Sequence, residues 1–84
     1  MKDVTIYTTA WCPYCHRAKA LLQARNVPFH EIDVTMDSTK RAEMEAKAGR
    51  HTVPQIWIGD THVGGSDDLH ALDRAGKLDA MLAA

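Results

Sequence analysis

The sequence predicts an α/β fold: a four-stranded mixed sheet flanked by helices in the order β-α-β-α-β-β-α, with a short further helix at the end. Two strand patterns separated by a helix-forming segment open the chain, and two later strand patterns flank a glycine-containing turn. Strand, helix and strand imply a parallel pair joined by a right-handed crossover. The hairpin that follows makes the rest of the sheet antiparallel.

The first three elements are predicted from residues 3–34. Residues 3–8 place apolar side chains on one face and are rich in β-branched and aromatic types, as in a strand. The segment from Pro13 to about residue 25 consists mostly of helix formers; Pro13 suits the first helical position and Asn26 suits a left-handed stop. Residues 27–34 alternate apolar and polar side chains, which predicts the second strand.

Caps, a turn and apolar spacing predict the remaining elements. Asp37 or Ser38 can cap a second helix that stops at Gly49, and its weak apolar face places it on the surface of the core. The turn at residues 59–61 is a hairpin signal. The predicted ranges are 40–48 for the second helix, 53–58 and 62–64 for the hairpin strands, and 66–74 and 77–82 for the last two helices.

Length, charge and hydropathy limit the possible functions. Eighty-four residues with 45% apolar content fit one small domain, residues 1–84. The net charge is −1 and no basic stripe is present, so we expect no binding to nucleic acid or to an anionic membrane. No apolar run approaches the roughly 18 residues of a membrane span, and the N-terminus lacks the apolar core of a signal peptide. We therefore expect a cytoplasmic protein.

Cys12 and Cys15, followed by His16, fit three kinds of site by pattern alone: a redox couple, half of a metal site, or a haem attachment signal. There is no second C-x-x-C, and the histidines are scattered singly, so a closed zinc site lacks ligands. Haem attachment usually accompanies export, which nothing here indicates. In a reducing compartment two cysteines are rarely a permanent staple, so the pattern favours a redox pair.

The two cysteines lie at the predicted corner between the first strand and the first helix. Cys12 is expected to be the exposed thiol, facing the unpaired N–H groups of the first turn, and Cys15 to be more buried. A thiol with a pKa of ~8.5 is only a few per cent thiolate at neutral pH. The helix dipole supplies at most ~2 kcal/mol, so hydrogen bonds to the sulfur must supply the rest. We expect Cys12 to attack and Cys15 to resolve.

Two later motifs suggest a substrate groove. In Thr52-Val53-Pro54, a cis peptide bond before Pro54 would turn the Val53 backbone outward beside Cys12, ready to pair with an extended peptide-like substrate. The alternative is an ordinary trans proline at a strand start. In the segment 64–68, free N–H groups at a helix start would bind a carboxylate, and an aspartate an ammonium, with Ser66 or Asp67 as the cap. The alternative there is a simple capped turn.

Together the motifs Cys-Pro-Tyr-Cys at 12–15, Thr-Val-Pro at 52–54 and Gly-Gly-x-Asp-Asp at 64–68 occur in the order and spacing of one family. The chain resembles the small bacterial dithiol glutaredoxins over essentially its whole length. The resemblance implies a thioredoxin fold, a cis Pro54, and glutathione as co-substrate with no cofactor or metal permanently bound. It also implies that Cys12 is the nucleophile and Cys15 the resolving thiol.

The resemblance further implies which residues hold glutathione. Val53 would pair with its cysteinyl backbone, and Asp67 and Asp68 would hold its γ-glutamyl end. Arg41 would hold the glycine carboxylate, or would be a solvated helix charge. The other residues implied at this groove are Tyr14, Thr52, Pro54, Gly65 and Ser66.

Thr9 departs from the family pattern. At this position, three residues before Cys12, many members carry a lysine that aids thiolate formation. The cations that can substitute for it are Arg17, Lys19 and Arg41.

The predicted function is a thiol-disulfide oxidoreductase that reduces protein disulfides and protein-glutathione mixed disulfides. Its expected partners are glutathione and disulfide-containing or glutathionylated client proteins, and we expect a monomer. One alternative is a thioredoxin-like reductase fed by a flavoprotein. Another is an iron-sulfur carrier or sensor, with Cys12 from two subunits and two glutathiones around a [2Fe-2S] cluster; the stiffness that Pro13 gives the site weighs against it.

Overall fold

The computed structural model of the protein describes residues 1–83. Within this range the predicted order of elements and the four-stranded mixed sheet are confirmed. No helix of this part of the chain is long and apolar enough to cross a membrane. The elements are β1 (Val4–Thr8), α1 (Pro13–Ala24), β2 (His30–Asp33), α2 (Ser38–Ala48), β3 (Gln55–Ile58), β4 (Thr61–Gly64), α3 (Ser66–Arg74) and α4 (Leu78–Leu82).

The sheet has the strand order β2-β1-β3-β4. Strand β1 is parallel to β2 and antiparallel to β3, and β3 is antiparallel to β4. Tyr7 pairs with Gln55, so the residues that follow β1 lie beside those that precede β3. Ile56 pairs with Gly64, so the end of β4 lies beside the start of β3 as well. The sheet register therefore brings the three sequence motifs together at one end of the strands, where β1 and β4 finish and β3 begins.

Local sequence signals set the helix ends. Pro13 is the first residue of α1, and Asn26 just beyond that helix has a left-handed backbone with φ 58°. The Asp37 carboxylate accepts a hydrogen bond from the Lys40 N–H at 2.9 Å, so Asp37 is the cap of α2. Gly49 ends α2 with φ 67°, a conformation that glycine adopts without steric cost.

Two hydrophobic clusters cover the two faces of the sheet, because successive strand side chains point to opposite faces. The smaller cluster lies under α2, which contributes Met44 as its fully buried residue and so lies at the surface of the core, as predicted. Its buried members are Tyr7, Val34, Met44 and Trp57. The larger cluster joins the sheet to α1, α3 and α4, with buried members Val4, Ile6, Ala18, Leu22, Val27, Ile56, Ile58, Leu69, Leu78 and Leu82.

The predicted starts of the second and third strands were too early. Strand β2 begins at His30 rather than at Val27, because the Val27 N–H donates to the Leu22 carbonyl at 2.9 Å and closes the end of α1. Strand β3 begins at Gln55 rather than at residue 53, because Pro54 has no N–H to donate to a ladder.

The predicted cap of α3 was also wrong. The capping position is Gly65 rather than Ser66 or Asp67. The Asp68 carboxylate reaches back and accepts a hydrogen bond from the Gly65 N–H at 2.8 Å. Asp68, the third residue of α3, therefore provides the side chain that caps the helix start.

We expect Leu22→Ala to lower the free energy of unfolding by about 2–5 kcal/mol, because Leu22 is fully buried between α1 and the sheet and its truncation leaves a cavity. Urea denaturation measures the change. Gln23→Ala, at the next and exposed position of the same helix, is the control and should change stability by no more than about 0.5 kcal/mol. Equal effects of the two variants would contradict the position of Leu22 in the core.

Candidate active site

Cys12 and Cys15 form a disulfide at the start of α1. Cys12 is the cap of the helix, and its sulfur accepts a hydrogen bond from the Cys15 N–H at 3.0 Å. Cys12 is 6% exposed and Cys15 is 1% exposed. The expected order of burial is therefore found, but Cys12 is not the freely exposed thiol that was predicted. In the disulfide its sulfur lies against the first turn of α1 and beside the Val53 backbone.

The segment before β3 lies directly against this sulfur. The Val53–Pro54 peptide bond is cis, as the family resemblance implied. The Cys12 Sγ lies 3.8 Å from the Val53 carbonyl oxygen. Val53 is half-buried and Pro54 is buried, so the backbone of this segment forms one wall beside the disulfide.

A groove of about 300 Å³ runs from this wall to the start of α3. It brings together all of the residues predicted to hold glutathione except Arg41, and it adds Arg50. Its lining residues are Tyr14, Arg50, Thr52, Val53, Pro54, Gly65, Ser66, Asp67 and Asp68.

Arg41 does not line the groove. Its guanidinium donates to the His51 carbonyl oxygen at 2.6 Å and contacts the Glu45 carboxylate at 3.3 Å, one turn along α2. Arg50 supplies the cation of the groove instead, with its Nη1 3.2 Å from the Asp68 carboxylate. A sequence signal for Arg50 existed, since it stands two residues before Thr52 and directly after the glycine that ends α2.

The Asp68 carboxylate sits between two donors at the floor of the groove. The hydrogen bond from the Gly65 N–H, together with the Arg50 guanidinium, holds the pKa of Asp68 below its usual range. Gly64 has φ 117°, and a Cβ atom there would collide with this carboxylate. The glycine at position 64 therefore allows Asp68 to reach the Gly65 N–H.

The three cations proposed to replace a lysine at Thr9 each have another partner. The Arg17 guanidinium lies 5.9 Å from the centre of the Tyr14 ring, and the Lys19 ammonium pairs with Glu31 at 2.9 Å. Arg41 is held by His51 as described above. The contact found at the Cys12 sulfur on the helix side is the Cys15 N–H. The start of α1, which supplies this N–H, is thus one source of positive potential at the Cys12 sulfur.

Residues 4–63 match the family model described as glutaredoxin. The chain belongs to the glutaredoxin family. It is 67% identical to a glutaredoxin of Pseudomonas aeruginosa over 84 residues, covering 100% of both chains. This family membership agrees with the presence of the three motifs together at one end of the strands.

Solved structures show that this glutaredoxin has the thioredoxin fold of its family. The solution structure of a glutaredoxin from Brucella melitensis matches with a TM-score of 0.87 and 56% identity, covering 98% of this chain and 89% of that one. The crystal structure of a buckwheat glutaredoxin-glutathione complex matches with a TM-score of 0.88 and 30% identity, covering 96% and 76%. Family membership and the Cys12–Cys15 pair are consistent with a thiol-disulfide oxidoreductase.

We expect Asp68→Asn to lower stability at neutral pH by less than about 1 kcal/mol, since the carboxylate is half-exposed and its ion pair is screened. Asparagine keeps an acceptor for the Gly65 N–H and removes the charge. Because the folded-state pKa of Asp68 is lowered, its contribution is complete above the unfolded value of about 3.9 and is lost as pH falls through the folded value.

Urea denaturation of the wild type and Asp68→Asn at about pH 7 and about pH 3 measures this dependence. The difference between the two proteins should shrink at the lower pH. The control is Asp60→Asn, an exposed turn position that forms no ion pair within residues 1–83. A difference for Asp68→Asn that stays constant or grows on acidification would contradict the predicted role of the charge.

Proposed function

We propose that the chain is a glutathione-dependent thiol-disulfide oxidoreductase that reduces protein disulfides and protein-glutathione mixed disulfides. The observation that carries the proposal is the position of the Cys12 sulfur. It lies at the start of α1 and 3.8 Å from the Val53 carbonyl, beside a groove whose far end carries charged groups. A tripeptide thiol can therefore place its sulfur at Cys12 and its charged end at α3.

The backbone wall suits the peptide part of glutathione. An extended peptide binds a protein backbone through paired N–H and C=O groups, and Val53 presents its backbone beside the reactive sulfur. In the proposed complex the cysteinyl residue of glutathione pairs with Val53. Its thiol is then within reach of Cys12.

The charges of the groove suit the ends of glutathione, which carries one ammonium and two carboxylates at neutral pH. Asp67 and Asp68 would bind the ammonium of the γ-glutamyl residue, and the N–H groups at the start of α3 its carboxylate. Arg50 lines the groove 3.2 Å from Asp68 and would bind a carboxylate of the ligand at this γ-glutamyl end. It would not take the glycine-carboxylate role first predicted for Arg41, whose guanidinium is bound to the His51 carbonyl.

The proposed reaction with a mixed disulfide has two thiol exchanges. The Cys12 thiolate attacks the glutathione sulfur; the bond between that sulfur and the client breaks, and the client leaves as a thiolate that takes a proton. A second glutathione, as thiolate, then attacks the sulfur of the glutathione bound to Cys12. Glutathione disulfide leaves and the Cys12 thiolate is regenerated.

A protein disulfide would also need Cys15. The Cys12 thiolate attacks one sulfur of the client disulfide; that disulfide bond breaks, and the other client sulfur leaves as a thiolate that takes a proton. Cys15, as thiolate, then attacks the Cys12 sulfur, and the client's second sulfur leaves in the same way. The product is the Cys12–Cys15 disulfide, the state found in this structure. Two glutathiones would reduce it, forming one glutathione disulfide. This cycle requires a reducing compartment, and we propose the cytoplasm.

The buckwheat relative supports glutathione as the ligand. That protein, 30% identical and of the same fold, was solved as a complex with glutathione. The groove of this chain is lined by residues from each of the three motifs on which the family resemblance rests: Tyr14, residues 52–54 and residues 65–68. The clients of the reaction are proposed only by chemical class, as proteins with a disulfide or a glutathionylated cysteine.

We expect Cys12→Ser to abolish turnover of both substrate classes, because Cys15, the other of the two cysteines, is only 1% exposed. Cys15→Ser should retain reduction of a glutathionylated peptide and lose at least about tenfold with a protein disulfide, since only the latter needs a resolving thiol. Coupled assays with glutathione and glutathione reductase measure both rates. Loss of both activities in Cys15→Ser would contradict this division between the two cysteines.

The choice of reductant separates the proposal from the thioredoxin-like alternative. Turnover should occur with glutathione and glutathione reductase and be at least about tenfold slower with thioredoxin reductase. The reverse result would refute dependence on glutathione.

An absorbance spectrum of anaerobically purified protein tests the iron-sulfur alternative, which predicts visible cluster bands. We expect no such bands.

A further inference from the structure

A buried glutamine lies directly behind the groove. Gln55 is the first residue of β3, follows Pro54 and is 0% exposed. Its side-chain Nε2 donates to the Thr52 carbonyl oxygen at 3.0 Å and lies 3.2 Å from the Thr52 hydroxyl. Burying a polar side chain costs free energy unless the side chain is hydrogen-bonded. These contacts with Thr52 therefore offset the cost of burying Gln55.

His62 on β4 holds the other end of the same amide. The Gln55 Oε1 lies 2.7 Å from the His62 Nε2. The Thr52 carbonyl can only accept a hydrogen bond, so the amide nitrogen must face Thr52 and the amide oxygen must face His62. The His62 Nε2 therefore carries the proton and donates to Gln55. The partners thus fix both the amide orientation and the histidine tautomer.

Packing fixes the direction of the His62 donor. His62 lies opposite Trp57 in the register of β3 and β4. The two rings are stacked with centroids 4.7 Å apart and an angle of 33° between their planes. His62 is half-buried, and its contact with the Trp57 ring opposes rotation of the imidazole away from Gln55. The result is a chain of hydrogen bonds from His62 through Gln55 to Thr52.

We propose that His62 and Gln55 are positioning residues for glutathione binding. They hold Thr52, and with it the Val53 backbone, in the conformation that pairs with the peptide part of the ligand. The inference rests on the proposed function and deepens it. Thr52 is exposed at the groove and precedes β3, so the strand ladder does not hold it, and the Gln55 amide does.

The expected consequence is a change in substrate binding rather than in the chemistry at Cys12. If the hydrogen-bond chain is broken, Thr52 and Val53 must be ordered when the ligand binds, and binding weakens by that cost. One buried hydrogen bond corresponds to about a fivefold to tenfold change in an equilibrium constant. The KM for a glutathionylated peptide should therefore rise by about that factor, while kcat changes by less than about twofold.

His62→Phe tests the chain with little disturbance of packing, because phenylalanine keeps a ring over Trp57 and has no proton to donate. His62→Gln is the rescue variant, since its amide nitrogen can replace the His62 Nε2 as donor to Gln55. His30→Phe is the matched control, an exposed histidine on β2 at the opposite edge of the sheet. Thermal unfolding of each variant reports any loss of the fold itself.

We expect His62→Phe to raise KM about fivefold to tenfold, His62→Gln to return it to within about twofold of the wild type, and His30→Phe to leave it unchanged. Wild-type KM in His62→Phe would overturn the inference. So would a loss of activity that follows only the loss of thermal stability and that His62→Gln does not restore.

Backbone NMR order parameters give a readout that needs no glutathione. The order parameters of Thr52 and Val53 should be about 0.85 in the wild type, fall below about 0.6 in His62→Phe and recover in His62→Gln. Unchanged order parameters in His62→Phe would refute the positioning role even if the wild type proved inactive with glutathione. Inactivity of the wild type with lowered order parameters in His62→Phe would instead refute the proposed function alone.

Discussion

Cys12 caps α1, and its sulfur accepts the Cys15 N–H at 3.0 Å. This contact ties the reactive atom to the start of a helix, where unpaired N–H groups favour negative charge. The antiparallel pairing of β1 with β3 then brings the Val53 carbonyl to 3.8 Å from the same sulfur. The reactive end of the groove forms because the start of α1 and the segment before β3 both contact the Cys12 sulfur.

The far end of the groove depends on a second helix start. Gly64 and Gly65 carry the chain from β4 into α3, and Asp68 closes the turn by accepting the Gly65 N–H. Arg50 balances the charge of Asp68 across the groove. The groove is therefore bounded by two helix N-termini, one for a thiolate and one for a charged amino-acid end, with a backbone wall between them.

The features that the sequence predicted well are those with local causes. Pro13 and Asn26 mark the ends of α1, and the spacing of Cys12 and Cys15 places both thiols in the first turn of that helix. The order of elements followed from such signals. Residues 65–68 were placed in the groove for the same reason, because a glycine pair followed by aspartates marks a helix start. The predicted cap still failed, since the capping carboxylate comes from inside the helix.

The features that the sequence did not reveal depend on contacts between distant elements. Arg41 and Arg50 are equally plausible cations in the sequence, and only the capture of Arg41 by the His51 carbonyl decides between them. Gln55 read as part of a strand, and its role depends on His62 across the hairpin. Such choices are made by packing and by hydrogen-bond partners, which short-range patterns do not encode.

The proposed function requires that this groove hold glutathione with its sulfur at Cys12. Its most direct test is to trap glutathione on Cys12 of Cys15→Ser as a mixed disulfide and to compare backbone amide NMR spectra with and without the adduct. We expect the largest shifts at Tyr14, at Thr52 and Val53, and at residues 65–68. Largest shifts elsewhere, such as along α2 around Arg41, or failure to form the adduct, would contradict it.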